Sequence, residues 1–273
     1  IVLPLFVVGI GFYLTRDKEE IHPVAEVVTI APGVTKAELV LADGHKVILG
    51  TETVDSLASE RGVKIVKDGN GVSYFGNKEE GDLAYNIMRV PRGGEFKVRL
   101  QDGTLVYMNS ETELKYPVRF VGKERRVYLS GEAYFEVSKD TNKPFLVIAE
   151  DVQVKVYGTT FNINTLLGNQ IQTTLVKGSV GIRVQNSSQE YILKPNQQAI
   201  VQKTDGNIIV REVDTTPYTA WTEGIFLFDN ERLETILDKL ALWYDVELFY
   251  QNESVKEVRF TGYLKRYDNI DVI

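Results

Sequence analysis

The chain has 273 residues, 43% hydrophobic and 25% charged, enough for two folded units with ordinary cores plus a tail. Its net charge of −7, from 31 basic and 38 acidic residues, comes without a concentrated Lys/Arg face and argues against nucleic acid as a partner. Cysteine is absent, which excludes disulfides, thiolate zinc sites and a cysteine nucleophile.

Residues Ile1 to Leu14 (IVLPLFVVGIGFYL) are uncharged and turn abruptly into TRDKEE. The run is shorter than the roughly 20 apolar residues that span a bilayer. It is read as the outer half of a transmembrane helix, with Phe12 and Tyr13 in the interfacial belt. A signal peptide fits the length but lacks the basic and small-residue flanks; a buried element of a soluble domain is the third reading. Residues 15–35 are then a juxtamembrane tail.

From about Val24 to Val213 the chain predicts an all-β region, with residues 36–213 as its folded body. Short runs rich in Val, Leu, Ile and Tyr are punctuated by Gly, Asp-Gly and Asn. Asp43-Gly44 in KAELVLADGHKVIL and Asp102-Gly103 in EFKVRLQDGTLVYMN sit between alternating apolar runs, which predicts hairpins with type I′ turns. Residues 56–80 predict a further hairpin around Asp68-Gly69-Asn70-Gly71. LADGHKV echoes LQDGTLV, and YLSGEAYFEV echoes LVKGSVGIRV with Gly131 matching Gly178, so these two glycines are expected at equivalent bends. Repeated strand-bend-strand units fit either a twisted two-layer sandwich or a β-solenoid.

Residues 214–224 (DTTPYTAWTEG) read as a linker, since Pro217 discourages regular structure. Residues 225–273 predict a small β-α-β-β unit: a strand in GIFLFDN, a helix in ERLETILDKLALWYD, then strands in VELFYQ and EVRFTGYLKR. Leu233, Ile236, Leu237, Leu240, Ala241 and Tyr244 follow helical spacing, with Asp229 or Asn230 as N-cap and Glu231 and Glu234 in the first turn. Asp271-Val272-Ile273 looks like the first turn of a second helix.

Catalytic chemistry finds little support. Glu132 and Glu136 in GEAYFEV share a strand face at roughly 6.6–7 Å between Cα atoms, near the carboxyl separation of glycosidases. Alternation with Ala133, Phe135 and Val137 makes that face the solvated one. His22 and His45 lie in unrelated loops and form no zinc motif. Pro91-Arg92-Gly93-Gly94 reads as a turn ahead of a strand rather than a phosphate cradle, and no nucleophile-elbow, Walker or dinucleotide motif occurs. No catalytic residue, cofactor or metal is expected.

The runs GGEFKVRLQDGTLVYMNSETELKYP, RRVYLSGEAYFEVSKDTNKPFLV, VYGTTFNI, TTLVKGSVGI and LKPNQQAIV, in that order over residues 90–203, resemble the periplasmic FecR domain of anti-sigma factors in its Bacteroidetes form. VDTTPYTAWTEGIFLFDNERLETILDKLALWYDVELFY with RFTGYLKR resembles the small C-terminal domain that accompanies it, similar to the STN (secretin and TonB N-terminus) fold. The resemblance implies a single-pass inner-membrane protein whose periplasmic part senses the N-terminal signalling domain of a TonB-dependent outer-membrane transporter, for iron or carbohydrate uptake. A cytoplasmic domain would hold an extracytoplasmic-function sigma factor. It carries over no catalytic residue. Exposed strand edges invite pairing with another chain, so Val246, Leu248, Tyr250, Val258, Phe260 and Tyr263 are the candidate partner-binding residues. The alternative is an envelope carbohydrate-binding or carbohydrate-processing β-sandwich using Tyr107, Tyr116, Tyr128 and Tyr134 as aromatic contacts; a secretin-like assembly subunit is a third reading.

Overall fold

A computed structural model describes residues 29–50, 58–60, 63–68, 71–75, 83–185 and 187–270. The apolar run 1–14, His22, most of the expected tail and Asp271–Ile273 lie outside them.

Among the described residues twenty strands precede residue 213, in keeping with the period-2 pattern. The first six are β1 (Val34–Thr35), β2 (Ala37–Val40), β3 (Lys46–Leu49), β4 (Ala58–Glu60), β5 (Val63–Asp68) and β6 (Gly71–Phe75). Then come β7 (Tyr85–Val90), β8 (Gly94–Arg99), β9 (Leu105–Met108), β10 (Thr112–Pro117), β11 (Arg125–Ser130), β12 (Glu132–Glu136) and β13 (Phe145–Ala149). The rest are β14 (Val152–Val156), β15 (Thr160–Leu167), β16 (Gln170–Lys177), β17 (Val180–Val184), β18 (Tyr191–Leu193), β19 (Gln197–Gln202) and β20 (Ile208–Glu212).

Eleven strands form one sheet in the order β20-β19-β16-β15-β12-β9-β8-β6-β5-β4, with β1 added parallel to β8. Nine form a second, β18-β17-β14-β13-β11-β10-β7-β2-β3. Neither order closes on itself. The alternating apolar positions of both sheets pool into one buried cluster: Phe135 of the first sheet stacks on Phe161 at 5.1 Å between centroids and meets Phe145 of the second at 6.2 Å.

The two Asp-Gly hairpins form, with a different turn from the one expected. In the first, Gly44 N donates to Leu41 O (2.9 Å) and Leu41 N to His45 O (2.8 Å); in the second, Gly103 N donates to Leu100 O (2.9 Å) and Leu100 N to Thr104 O (2.8 Å). Only the glycines take positive φ, +88° and +85°, so each is a three-residue loop with a type I turn and a left-handed glycine, not a type I′ turn. Asp102 also anchors its loop to the body: its carboxylate accepts from Thr104 Oγ1 (2.7 Å) and pairs with the buried Arg125 (2.7 Å). The hairpin at residues 68–71 is present as the antiparallel β5–β6 pair.

Gly131 (φ +117°) carries the chain from β11 in the second sheet to β12 in the first; Gly178 (φ +99°) carries it back from β16 to β17. Each backs onto a threonine hydroxyl, Thr112 and Thr159. Thr112 Oγ1 accepts from Glu132 N (3.0 Å), and Thr159 Oγ1 donates to Ser179 O (3.0 Å). In both cases the hydroxyl holds the residue just past the bend.

The expected linker is ordered. Pro217 falls in the first turn of a short helix, Thr216–Thr219, where a missing N–H costs nothing; a 3-10 turn, Ala220–Glu223, follows and buries Trp221. β21 (Ile225–Arg232) and β22 (Arg259–Lys265) then pair antiparallel, separated by the helix Leu233–Tyr244 and a 3-10 turn, Glu253–Glu257. Here two expectations fail. VELFYQ is not a strand: residues 246–250 have no regular structure and no ladder partner among the described residues, their alternation following the packing of Val246 on the C-terminal core. The unit is therefore β-α-β rather than β-α-β-β. Neither Asp229 nor Asn230 caps the helix, because β21 continues to Arg232, whose position is the N-cap without a side-chain bond; Glu234 alone is the acidic residue of the first turn. Phe226, Phe228, Ile236, Leu240, Trp243 and Tyr244 form a second cluster, separate from the main core.

Candidate functional site

The residues with catalytic potential are held in structural bonds. Glu132 accepts from Asn109 Nδ2 (2.8 Å) and Asn162 Nδ2 (3.0 Å), while Glu136 is exposed. On the face they share Glu136 is exposed, whereas Tyr134 and Glu132 are half-buried and Glu132 lines the cleft beneath the C-terminal unit. His45 lies in the exposed first hairpin loop, 2.9 Å from Asp43. The four tyrosines make no common platform: Tyr107 and Tyr134 pair edge-on across β9 and β12, Tyr128 belongs to the other sheet, and Tyr116 is buried against Tyr74. Among the described residues no group of His, Cys, Asp and Glu could hold a metal ion.

What the molecule does present is a seam between the first sheet and the C-terminal unit. The outer face of that sheet is polar there: Asn162 and Asn164 on β15, Thr174 on β16 and Gln198 on β19 are all buried, and Gln198 accepts from Arg211 (2.7 Å) and donates to Thr174 (2.9 Å). Above these residues lies a cleft of about 550 Å³, roofed by β21 and the helix Leu233–Tyr244.

Three groups pin the unit across this seam. Arg266, at the end of β22, is fully buried; its guanidinium lies 3.8 Å from the Trp243 ring centroid and 4.8 Å from that of Phe226, and donates to Asn109 Oδ1 (3.0 Å) and Glu95 Oε2 (3.3 Å). Burial pulls its pKa down, opposed by the charges of Glu95 and Glu132; an arginine nonetheless keeps its proton. Tyr267 donates to the other oxygen of Glu95 (2.8 Å), and burial followed by this bond pushes its pKa up to about 12. Arg92, in the turn read from sequence as a simple reversal, donates to the helix-end carbonyls of Ala241 and Val246 (both 2.8 Å) and to Asp245 (3.1 Å). A cation at a helix C-terminus is favoured by the dipole.

The candidate partner-binding residues divide into two sets. Val246, Leu248 and Tyr250 are half-buried, with Val246 packed on the C-terminal core and Lys256 over the Tyr250 ring, while Phe249 between them is 88% exposed. Val258, Phe260 and Tyr263 are exposed on or beside β22, at 46%, 49% and 68%. Among the described residues β22 pairs with β21 alone, and its other edge has no ladder partner there.

A polar seam and an exposed apolar strand edge are the features of a surface that binds another chain. The family model described as FecR protein matches residues 86–181, and that described as FecR, C-terminal, matches residues 225–273. Two crystal structures, at 1.65 and 2.50 Å, of a protein described as a candidate anti-sigma factor from Parabacteroides distasonis ATCC 8503 are similar. They share 29% identity with this chain, cover 68% and 67% of it and 87% and 86% of their own chains, with TM-scores of 0.62 and 0.61. No curated protein matches. The chain belongs to the FecR family, which is regulatory and not enzymatic and whose members act on sigma factors. Among the described residues no helix is long and apolar enough to cross a membrane.

Proposed function

We propose that this chain is the periplasmic signal-relay region of an inner-membrane-tethered anti-sigma factor. In this reading the STN-like C-terminal unit receives the N-terminal signalling domain of a TonB-dependent outer-membrane transporter, and the signal controls an extracytoplasmic-function sigma factor bound elsewhere in the protein. The observation that carries it is the open edge of β22 with Phe260 and Tyr263 exposed beside it. A strand edge offers main-chain N–H and C=O groups to an incoming strand, and flanking aromatics supply contact area at low entropic cost.

The test is calorimetric titration of the transporter's signalling domain into the chain and into a Phe260→Ser, Tyr263→Ser variant. Both side chains face outward, so the fold is expected to survive. Affinity should fall at least about tenfold, the size of one or two hot-spot residues. Unchanged affinity in a folded variant would move the contact off β22.

A further inference from the structure

Residues 29–36 lead the N-terminal segment into the fold, and they do so through the seam. Val34 N donates to Gly93 O (3.0 Å) and Lys36 N to Glu95 O (3.2 Å), which seats β1 along β8. The C-terminal unit meets the same short segment. A Cβ on Gly33 would lie 2.6 Å from Cε3 of Trp243, so the indole rests directly on the backbone there. Ile30 packs into the C-terminal cluster and not into the main core. Gly93, whose carbonyl holds Val34, gives its own N–H to Leu242 O (2.8 Å) at the end of the helix, and Glu95 serves both Lys36 and, through its carboxylate, Arg266 and Tyr267.

A two-residue strand with these few bonds is weak by itself; isolated strand pairs are marginal in water and open at low free-energy cost. The seam that covers it is separable. Each unit keeps its own apolar cluster, and between them lie amides, hydroxyls and a cleft of about 550 Å³. Polar interfaces of this kind between folded units are the ones that come apart. We infer that the C-terminal unit is a latch on the N-terminal lead-in: docked, it clamps Ile30–Lys36 against β8, and displaced, it frees that segment. The proposed function enters only as the natural trigger, since a partner engaging β22 acts on the strand that runs directly into Arg266. The clamp itself is a property of the chain alone.

Hydrogen exchange on the full chain without any partner tests it, comparing wild type with Arg266→Ala and Gly33→Ala. The two tryptophans of the sequence, Trp221 and Trp243, both lie at the seam and report docking by their emission. Both variants should shift that emission to the red and speed exchange at Val34 and Lys36 at least about tenfold, with the amides of β13 to β16 unchanged. Coupling between two sites is reciprocal, so a change at Gly33 must loosen Trp243 as a change at Arg266 loosens Val34. Protection at Val34 and Lys36 that persists while the emission shows an undocked unit would overturn the inference. So would an unshifted emission in Gly33→Ala. If Arg266→Ala does not fold, Gly33→Ala decides, because that glycine lies outside helix and strand and has no positive φ to strain. Failure here leaves the transporter reading standing, and failure of the calorimetric test leaves the latch standing.

Discussion

The guanidinium of Arg266 lies 3.8 Å from the centre of the Trp243 ring, and the same arginine's backbone carbonyl accepts the indole N–H. One residue thus closes the C-terminal β-α-β unit on its own helix and reaches across the seam to Asn109 and Glu95. Among the described residues its Nε and Nη1 have no hydrogen-bond partner, so much of its desolvation is offset by the aromatic faces of Trp243, Phe226 and Trp221. Cation–π contacts are strongest when water is excluded.

Replacing Arg266 by Ala is accordingly expected to lower the stability of the docked unit by roughly 2–4 kcal/mol, from the lost cation–π and charged hydrogen bonds together. Arg266→Lys should recover only part, since an ammonium cannot stack flat on an indole while reaching two acceptors. Urea unfolding followed by tryptophan emission reads the difference; a wild-type midpoint in Arg266→Ala would show the seam is held elsewhere.

Arg92 is half-exposed and its bonds are shared between two carbonyls and Asp245, so Arg92→Ala should cost about 1 kcal/mol. Its effect should be sub-additive with Arg266→Ala, because undocking by either removes the contacts of both. A double-mutant cycle in urea checks this; strict additivity would mean the two sites hold independent surfaces.

Local rules recovered what local chemistry determines. The alternation in EAYFEV placed Ala133, Phe135 and Val137 on the face away from Glu132 and Glu136, where they are buried, and the period-3.6 stripe located the helix. Asp-Gly pairs marked both hairpins, though the turn type depends on how the flanking strands twist. VELFYQ misled because its alternation reflects packing of Val246 on the C-terminal core, and among the described residues no strand pairs with it. DTTPYTAW looked like a linker on account of Pro217, yet a tryptophan in such a stretch signals burial, and Trp221 is indeed covered. The seam was not legible at all: Arg92, Glu95, Asn109, Trp243 and Arg266 meet from distant parts of the chain, and no spacing rule joins them.

Alkaline pH offers a separate handle on the seam. The Tyr267 phenol, pushed up to about 12 by burial and by its bond to Glu95, ionises less readily folded than unfolded, where the value is 10.0. A pKa raised on folding contributes stability that is complete below the unfolded value and is lost as pH rises through the folded one. Docking should therefore weaken between about pH 10 and 12. Tyr134 is also pushed up to about 12 by burial, so the informative quantity is the difference between wild type and Tyr267→Phe in a pH titration of tryptophan emission. Identical curves would assign the alkaline transition to other groups.

Three glycines with positive φ differ in what surrounds them, and this predicts a graded series. Alanine at Gly44 (φ +88°) meets nothing within 4 Å, so only backbone strain remains and the cost should be about 1 kcal/mol. At Gly178 (φ +99°) the new Cβ would lie 2.9 Å from Thr159 Oγ1 and 3.1 Å from Gly158 O, adding a clash with groups that can shift slightly. At Gly131 (φ +117°) it would lie 2.5 Å from Thr112 Oγ1 and 2.6 Å from Thr112 Cα, and a backbone atom in β10 cannot give way without disturbing the pairing of β10 with β7 and β11. Strain and overpacking add, so Gly131→Ala should cost roughly 3–5 kcal/mol and Gly178→Ala roughly 2 kcal/mol. Equilibrium urea unfolding by circular dichroism gives the order directly. A Gly131→Ala chain as stable as Gly44→Ala would mean that β10 moves freely at Thr112, and that the bend does not fix how the two sheets join.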